Sequence, residues 1–386
     1  MKKILFIFCY FPCIIAACKQ NKGKAQTEKA PQHDLEINTD TSFALLPPND
    51  MELYRKKVKA YYEQHLKRTG FSGEFLVAKN GQVIYEDYAG YADFRTRTPM
   101  TSTTSLHIAS TSKTFTGMTL LRLWEQGRVS LDDDMHKFFP NFPYNGVTVK
   151  QLLSHRSGLP NYLTFMDKGW DKHKKATNED VLNFMIQNRP PIAALPNRRF
   201  QYCNTNFLLL ALIIEKITRQ PFPKYMKDSV FTPLGLTNTY VFSIDDADDY
   251  VPTYSVSRPF PMDHLDCTYG DKNVYSTARD LLKWDKALYK GRFVKKSTLE
   301  MAYEPRSNES RSEHNYGYAW RMLIKPDQKI IYHNGFWHGT NTCFTRLIQD
   351  TVTIIVIGNK TNGNIYRCKE LGTLFTGKED NSDMDE

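Results

Sequence analysis

Beyond its first eighteen residues, the 386-residue chain has no run of eighteen apolar residues. No later segment is therefore expected to cross a bilayer as a helix. There is no glycine period, no sustained heptad and no internal repeat, which excludes collagen, coiled-coil and solenoid architectures. Cysteine is sparse: seven residues, three of them within the first eighteen. The other four, Cys203, Cys267, Cys343 and Cys368, have no spacing that dictates a disulfide or a zinc site. Aromatic residues, by contrast, are plentiful, with 22 Tyr, 23 Phe and 5 Trp. That density excludes disorder for most of the chain. The length allows two or three domains, or one large two-part unit with a full core.

The net charge of +9 raises the question of a polyanionic partner. Residues 1–30 carry +5 and residues 370–386 carry −5, so 31–369 keep a charge of +9. Its Lys and Arg are dispersed. The densest run, Lys172-His173-Lys174-Lys175, is short and unaccompanied by any nucleic-acid motif. A solvated basic surface is the preferred reading, and nucleic acid is not an expected partner.

The N-terminus reads as a targeting segment. Met1-Lys2-Lys3 is positive, and Ile4 to Ala17 carries no charge. This stretch is short for a membrane span and fits a signal-peptide core. It ends in Ile15-Ala16-Ala17-Cys18, which resembles a bacterial lipobox. The reading is a signal over 1–17 and a lipidated Cys18, preferred to an ordinary secretory signal with a chance cysteine. Residues 18–48 then form a polar tether. The expected location is the bacterial cell envelope, periplasm-facing or at the surface.

Met51 to Thr69 reads as an amphipathic helix. Asn80-Gly81 between two β-prone runs predicts a hairpin. Further helices are expected at Thr111–Gln126, Val149–Leu153, Asn178–Ile186, Asn206–Thr218, Leu281–Tyr289 and Lys296–Tyr303, with a loop at Pro190–Pro196. Strands are expected at Tyr318–Ile324, Lys329–Tyr332, Thr340–Ile348 and Thr351–Ile357, as an antiparallel meander. The fold class is α+β: an antiparallel sheet flanked by helices, with an inserted all-α subdomain at roughly 127–285 of a 49–365 domain. Residues 366–386 are expected to be an acidic tail.

Three polar clusters carry chemistry. Ser110-Thr111-Ser112-Lys113 opens the first central helix, and the i, i+3 spacing puts Ser110 and Lys113 on one face. A serine hydroxyl needs a neighbouring base to act as a nucleophile, and the lysine amine can reach it. A helix start also leaves the Ser110 N–H free to donate to an oxyanion. Tyr202-Cys203-Asn204 precedes the long apolar helix; Tyr202 can accept a proton and Asn204 can bind a substrate carbonyl. His333-Asn334-Gly335 falls between two strands of the meander. There Gly335 would let a substrate run alongside, and a protonated His333 would attract a carboxylate. Each cluster alone has a bland reading: a helix cap, a core aromatic and a polar turn.

Their order, S-x-x-K, Tyr-x-Asn, then His-x-Gly, resembles the serine β-lactamase and penicillin-binding-protein superfamily, and within it the class C-like branch. The resemblance extends to Gln151 through Leu159, Pro196 to Asn204, Ser276 to Leu281 and Tyr316 to Trp320. It implies a β-lactamase/transpeptidase-like fold and an acyl-enzyme on Ser110, with Lys113 and Tyr202 sharing the proton work. It implies an oxyanion hole from the N–H groups of Ser110 and Phe336, with Asn204, His333, Asn334 and Gly335 binding substrate. No metal or cofactor is expected. The expected partners are a small-molecule or peptide substrate and, through the anchor, a membrane; the chain is expected to be monomeric. The sequence departs from the pattern at His333, where lysine is usual, and at Asn334, where threonine is common. Histidine is largely neutral at pH 7, which favours peptide or ester substrates over β-lactams. Cys203, Asn197 and Arg156 are further departures, and Cys203 is expected to line the site. A catalytically silent binding module and a true class C β-lactamase are the alternatives.

Overall fold

The computed structural model describes residues 43–246 and 250–375. Cys18, the signal and most of the expected tether lie outside them. Helix α1 (Pro48–His65) leads into β1 (Gly73–Lys79) and β2 (Gln82–Ala89). Short strands β3 (Tyr91–Asp93), β4 (Thr98–Pro99) and β5 (Leu106–His107) precede α2 (Ser112–Glu125). Helices α3 (Val149–Leu153), α4 (Tyr162–Gly169), α5 (Asn178–Asn188), α6 (Asn204–Thr218) and α7 (Phe222–Met226) follow. Strands β6 (Tyr240–Val241) and β7 (Val274–Ser276) lead to α8 (Ala278–Tyr289) and α9 (Lys296–Ala302). The last strands are β8 (His314–Tyr316), β9 (Arg321–Lys325), β10 (Gln328–Trp337), β11 (Thr340–Leu347) and β12 (Val352–Gly358).

The main sheet has seven strands in the order β2-β1-β12-β11-β10-β9-β8, each neighbouring pair antiparallel. The first and last strands of this sheet in chain order are thus neighbours within it, β1 pairing with β12 inside the edge strand β2. The sheet is covered on both faces, so β12 runs apolar from Ile354 to Ile357 instead of alternating. Its Ile355 and Ile357 join the core under the helices, while Val352, Ile354 and Val356 join the core under α1. Helix α6 is apolar all round because it is enclosed: Phe207 to Ile214 are all buried. The β1–β2 hairpin turns at Asn80 and Gly81, whose φ values of +50° and +66° give the primed turn that their sequence favours.

Several expectations need correction. Residues 43–48 are docked, not a tether: Phe43 packs edge-on against Tyr289, and the Ala44 carbonyl accepts from the Asn80 and Gln82 amides. The tail does not begin at 366. Residues 363–375 form successive 3-10 turns with Cys368, Leu371 and Phe375 buried. The apolar spacing Ile365, Cys368, Leu371, Leu374 has a period of three, which suits a 3-10 turn and hides from a 3.6-residue search. The expected helical segment at 127–285 stops inside α8, which packs on β12 and β1. Helix α4 is an addition, started by the Asn161 side chain accepting from the Leu163 N–H.

The strand expected at Tyr318–Ile324 begins only at Arg321, because Gly317 to Trp320 form a bend. There the Tyr318 and Ala319 N–H groups donate to Ala302 and Leu153, outside the sheet. Conversely, β10 runs through His333-Asn334-Gly335, which had read as an inter-strand turn. The triplet is polar, yet its backbone is in full register with β11.

Glu74 on β1 yields a pH prediction. It is fully buried, accepts the Ala278 N–H at 2.5 Å, and leaves its second carboxyl oxygen without a partner. Burial pushes its pKa well above the ordinary carboxyl value. Below the unfolded value, about 4.3, both states hold the proton and the group is neutral to stability. Above it the unfolded chain releases the proton freely and the folded chain does not, so stability falls as pH rises toward the folded value. Glu74→Gln keeps an acceptor for Ala278 and removes that penalty. Its melting temperature should exceed the parent's at pH 8 and match it near pH 4; an equal shift at both would contradict the assignment.

Candidate active site

Ser110 sits in a 3-10 turn, Ala109–Thr111, immediately ahead of α2. Ala109 has φ +46°, a left-handed conformation that a residue with a Cβ adopts only at a cost of roughly 1–2 kcal/mol. Packing enforces it. Strand β10 crosses the turn at Gly335, where a Cβ would lie 2.5 Å from the Ile108 oxygen and 3.0 Å from the Ala109 Cβ. The Thr342 hydroxyl donates to the Ile108 carbonyl at 3.1 Å and lies 3.0 Å from the Thr111 hydroxyl. Glycine at 335 is thus demanded by the close approach of β10 to the Ser110 turn.

Lys113 lies one turn on and is fully buried. Its Nζ donates to Ser110 Oγ at 3.1 Å, to Asn204 Oδ1 at 2.8 Å and to the Asp271 carbonyl at 2.7 Å. Three acceptors fix where the amine points. The contact assigns the Asn204 oxygen to Lys113 and leaves its Nδ2 as the atom able to donate to a substrate carbonyl. Ser110 itself is only half-buried, so the hydroxyl opens to solvent while the amine does not. An amine at this distance takes up the hydroxyl proton in its neutral form, with the Ser110–Lys113 hydrogen bond reversed so that Oγ donates, and can later return it.

The Tyr202 ring centroid is 5.1 Å from Lys113 Nζ and 4.9 Å from the Arg321 guanidinium carbon. What holds Tyr202 is His155. The His155 carbonyl accepts from the Gln201 N–H at 2.8 Å, and its ring Nδ1 accepts from the Cys203 N–H at 3.1 Å. Its ring lies 4.3 Å from the Tyr202 ring. The residues on either side of Tyr202 are thereby clasped by one histidine, itself at φ +55°. Burial, with Lys113 and Arg321 nearby, holds the His155 pKa far below the ordinary imidazole value. The neutral ring is what allows Nδ1 to accept.

The setting of His333 disfavours its charged form. The residue is fully buried, with Nδ1 2.8 Å from the Asn334 carbonyl oxygen and Nε2 3.3 Å from the Tyr316 hydroxyl. Burial and the charges of Arg321 and Lys113 hold its pKa far below the ordinary value. A buried, neutral ring bonded to Tyr316 cannot attract a carboxylate as an imidazolium. Asn334 has a buried Oδ1 with no protein partner. Phe336 is 64% exposed, two residues beyond Asn334. Strand β9 pairs with β10 only as far as Tyr332, so residues 333–337 have a ladder partner on the β11 side alone. Their other edge faces the Ser110 turn.

Cys203 does not line the site. It is buried with Sγ toward the Leu159 and Pro160 carbonyls, and burial pushes its thiol up to about 11. The other two departures are partners. Asn197 adopts φ +60°, and its side-chain and main-chain oxygens accept from Arg156 at 2.8 and 3.0 Å. All four described cysteines are free. Sequence reasoning did not single out His155, Asp271 or Arg321. His155 stood in the Gln151–Leu159 block, a signal that a role remained to be found. Asp271 acts through its main-chain oxygen, which no side-chain pattern reports.

This geometry can be set beside known proteins. The profile of the family described as Beta-lactamase matches residues 58–372. Penicillin-binding protein 4* of Bacillus subtilis (strain 168) is 32% identical over 330 residues, which is 81% of this chain and 73% of that protein. The octameric penicillin-binding protein homologue from Pyrococcus abyssi superposes with a TM-score of 0.73 at 25% identity, covering 84% of this chain and 78% of that one. The expectation of a monomer has no support from that relative. D-amino acid amidase from Ochrobactrum anthropi SV3 shares the fold, with a TM-score of 0.66 at 24% identity, covering 84% of this chain and 96% of that one. No described helix is long and apolar enough to cross a membrane. With its antiparallel sheet, its helical layer and its serine–lysine pair at their junction, the chain belongs to the Beta-lactamase family of penicillin-binding-protein-like serine hydrolases.

Proposed function

We propose that the protein hydrolyses peptide or ester substrates through an acyl-enzyme on Ser110, from a position tethered to the cell envelope by a lipid on Cys18. The observation that carries the catalytic part is the 3.1 Å contact between Lys113 Nζ and Ser110 Oγ, made by a buried amine to an accessible hydroxyl. Lys113, with Tyr202 beside it, takes the Ser110 proton as Oγ attacks the carbonyl carbon. The proton then passes to the leaving amine or alkoxide as the acyl bond to it breaks. The N–H groups of Ser110 and Phe336 receive the oxyanion, the latter from the unpaired edge of β10. Water, activated by the same pair, releases the acyl group from Ser110. Asn204 Nδ2 is placed to hold a substrate amide.

Peptides and esters rank above β-lactams because the third motif supplies no permanent cation: His333 is buried and uncharged. The anchor rests on Ile15-Ala16-Ala17-Cys18. One preparation tests both parts. Protein expressed with its own N-terminus should fractionate with membranes and lose that association in Cys18→Ala. It should turn over a short-chain ester or a D-alanyl-D-alanine peptide faster than a chromogenic cephalosporin. A dominant cephalosporin rate would make it a β-lactamase instead, and unchanged fractionation of Cys18→Ala would remove the anchor.

A further inference from the structure

A cluster of cations lies away from Ser110. Lys283, Lys286 and Lys290 follow one another at i, i+3 and i+7 along α8 and its C-cap, which puts them on one face. Arg122, in the last turn of α2, and Arg292, just beyond α8, join them, and the five line a cavity of about 490 Å³. That is the scale of a small-molecule ligand site. Its other lining residues are uncharged. Arg122 is some fifteen ångströms along α2 from the end that bears Ser110, at about 1.5 Å per residue, so the cavity is separate from the catalytic cleft.

Little in the protein neutralises this cluster. Asp280 accepts from Lys283 at 2.7 Å. Arg122 is fixed by donating to the Ser229 carbonyl at 3.1 Å, with its guanidinium carbon 4.9 Å from the Phe293 ring centroid. Among the described residues Arg122, Lys286, Lys290 and Arg292 form no ion pair. Asp285, beside Lys286 in sequence, is enclosed with Arg346. Burial, and then the charge of Lys290, lowers the Lys286 pKa, as expected for an amine crowded by a like charge. The dipole of α8 favours cations at its C-terminus, which accounts for Lys286 and Lys290. It does not account for Arg122, brought in from α2, or for five cations gathered around one concavity.

The N-terminal chain joins the fold at the rim of this cavity. Lys290 Nζ lies 4.8 Å from the Phe43 ring centroid, and Lys286 and Phe43 both abut Gly81 in the β1–β2 turn. Phe43 is the first described residue, so the segment bearing Cys18 attaches here. An anchor joined at this rim turns the meeting of the cavity with a lipid surface into an intramolecular event.

We propose that this cavity binds phosphate headgroups of an anionic phospholipid surface and seats the protein on the membrane, with Ser110 at the other end of α2 held away from it. The proposal rests on the Cys18 reading for the nearness of the membrane, and names the face that meets it. A cation close to an anionic surface strengthens partition about fivefold.

The test uses the full chain carrying Cys18→Ala, so that no lipid contributes. Partition is measured by sedimentation with vesicles of phosphatidylcholine alone and of phosphatidylcholine with phosphatidylglycerol. Any hydrophobic contribution of the N-terminus acts on both and cancels from their ratio. The ratio should favour phosphatidylglycerol and shrink as salt is raised. Lys286→Gln/Lys290→Gln/Arg292→Gln should reduce it on the order of 100-fold. Lys168→Gln/Lys172→Gln/Lys174→Gln, at exposed positions of α4 and the turn after it, removes the same charge and should reduce it less than about threefold. If the first triple variant loses its folded circular dichroism spectrum, the exposed pair Lys290→Gln/Arg292→Gln should still lose about 25-fold. Equal losses in the two triple variants would show that net charge and not the cavity draws the protein, and would overturn the proposal. So would a ratio with no preference for phosphatidylglycerol. Inorganic phosphate that displaces the protein further than chloride of equal ionic strength would make this a soluble-phosphate site instead. Membrane fractionation of the parent against Cys18→Ala reads the anchor separately. Loss of the anchor reading with the vesicle preference intact leaves the cavity's role standing, and the reverse removes it.

Discussion

Ser110→Ala protein is expected to take no covalent label from a fluorophosphonate or a penicillin, read by intact-mass spectrometry, and to lose at least about 10⁴-fold in kcat on any substrate the parent turns over. The size follows from the lack of a substitute. Ser112 is buried and its hydroxyl accepts the Val274 N–H at 3.0 Å. Thr111 is buried against Thr342. Neither can rotate into the place where Lys113 meets Ser110 without abandoning a buried hydrogen bond. Lys113→Ala should reduce acylation by a comparable factor while leaving the hydroxyl present, since it also strips Asn204 Oδ1 and the Asp271 carbonyl of their donor. Label that persists in Ser110→Ala would place the nucleophile elsewhere and end this mechanism.

The second large effect concerns stability. Arg346 on β11 and Asp285 on α8 form an ion pair with both side chains almost fully enclosed. The Tyr303 hydroxyl also meets the guanidinium, and the Thr353 hydroxyl donates to the other Asp285 oxygen at 2.5 Å. Thr353 is the cross-strand partner of Arg346, so the cluster fastens α8 onto β11 and β12 together. Removing one partner strands a charge in a site closed to water. Arg346→Met or Asp285→Leu alone should cost about 3–5 kcal/mol, or roughly 10 °C in melting temperature followed by circular dichroism. The double replacement should cost less than either single one, because no charge is left to desolvate. Additive losses would show that packing, not charge pairing, governs the cluster.

The fold class was legible because its signals are local and repeated. Helices α2, α5, α6 and α8 and strand β12 carry dense apolar patterns that burial then rewards. Asn80-Gly81 announced its hairpin through backbone preference alone. Legibility failed where long-range packing overrides local pattern. The His333 triplet looks like a turn because it is polar, yet it is strand because β11 completes its ladder. Residues 366–375 looked like the start of a tail because the apolar spacing of 363–375 belongs to a 3-10 turn. Phe43 fell within the expected tether, yet it packs against Tyr289.

The candidate site divides in the same way. The identities of Ser110, Lys113, Tyr202 and Asn204 could be read in order along the chain, since each chemistry needs a particular side chain. Their mutual distances could not, because Asn204 reaches Lys113 only when α6 packs beside α2. Sequence alone determined the candidate nucleophile, the amine spaced to reach it and the sheet-and-helix class. The tertiary structure deepened what residue type already suggested for the third motif, because burial pushes the His333 pKa well below the ordinary imidazole value. It alone decided the close packing of β10 on the Ser110 turn at Gly335, the clasp of His155 on Tyr202 and the placement of Arg321 beside the Tyr202 ring. Each of these depends on which groups share a volume closed to water, a property of the folded chain that no span of sequence contains.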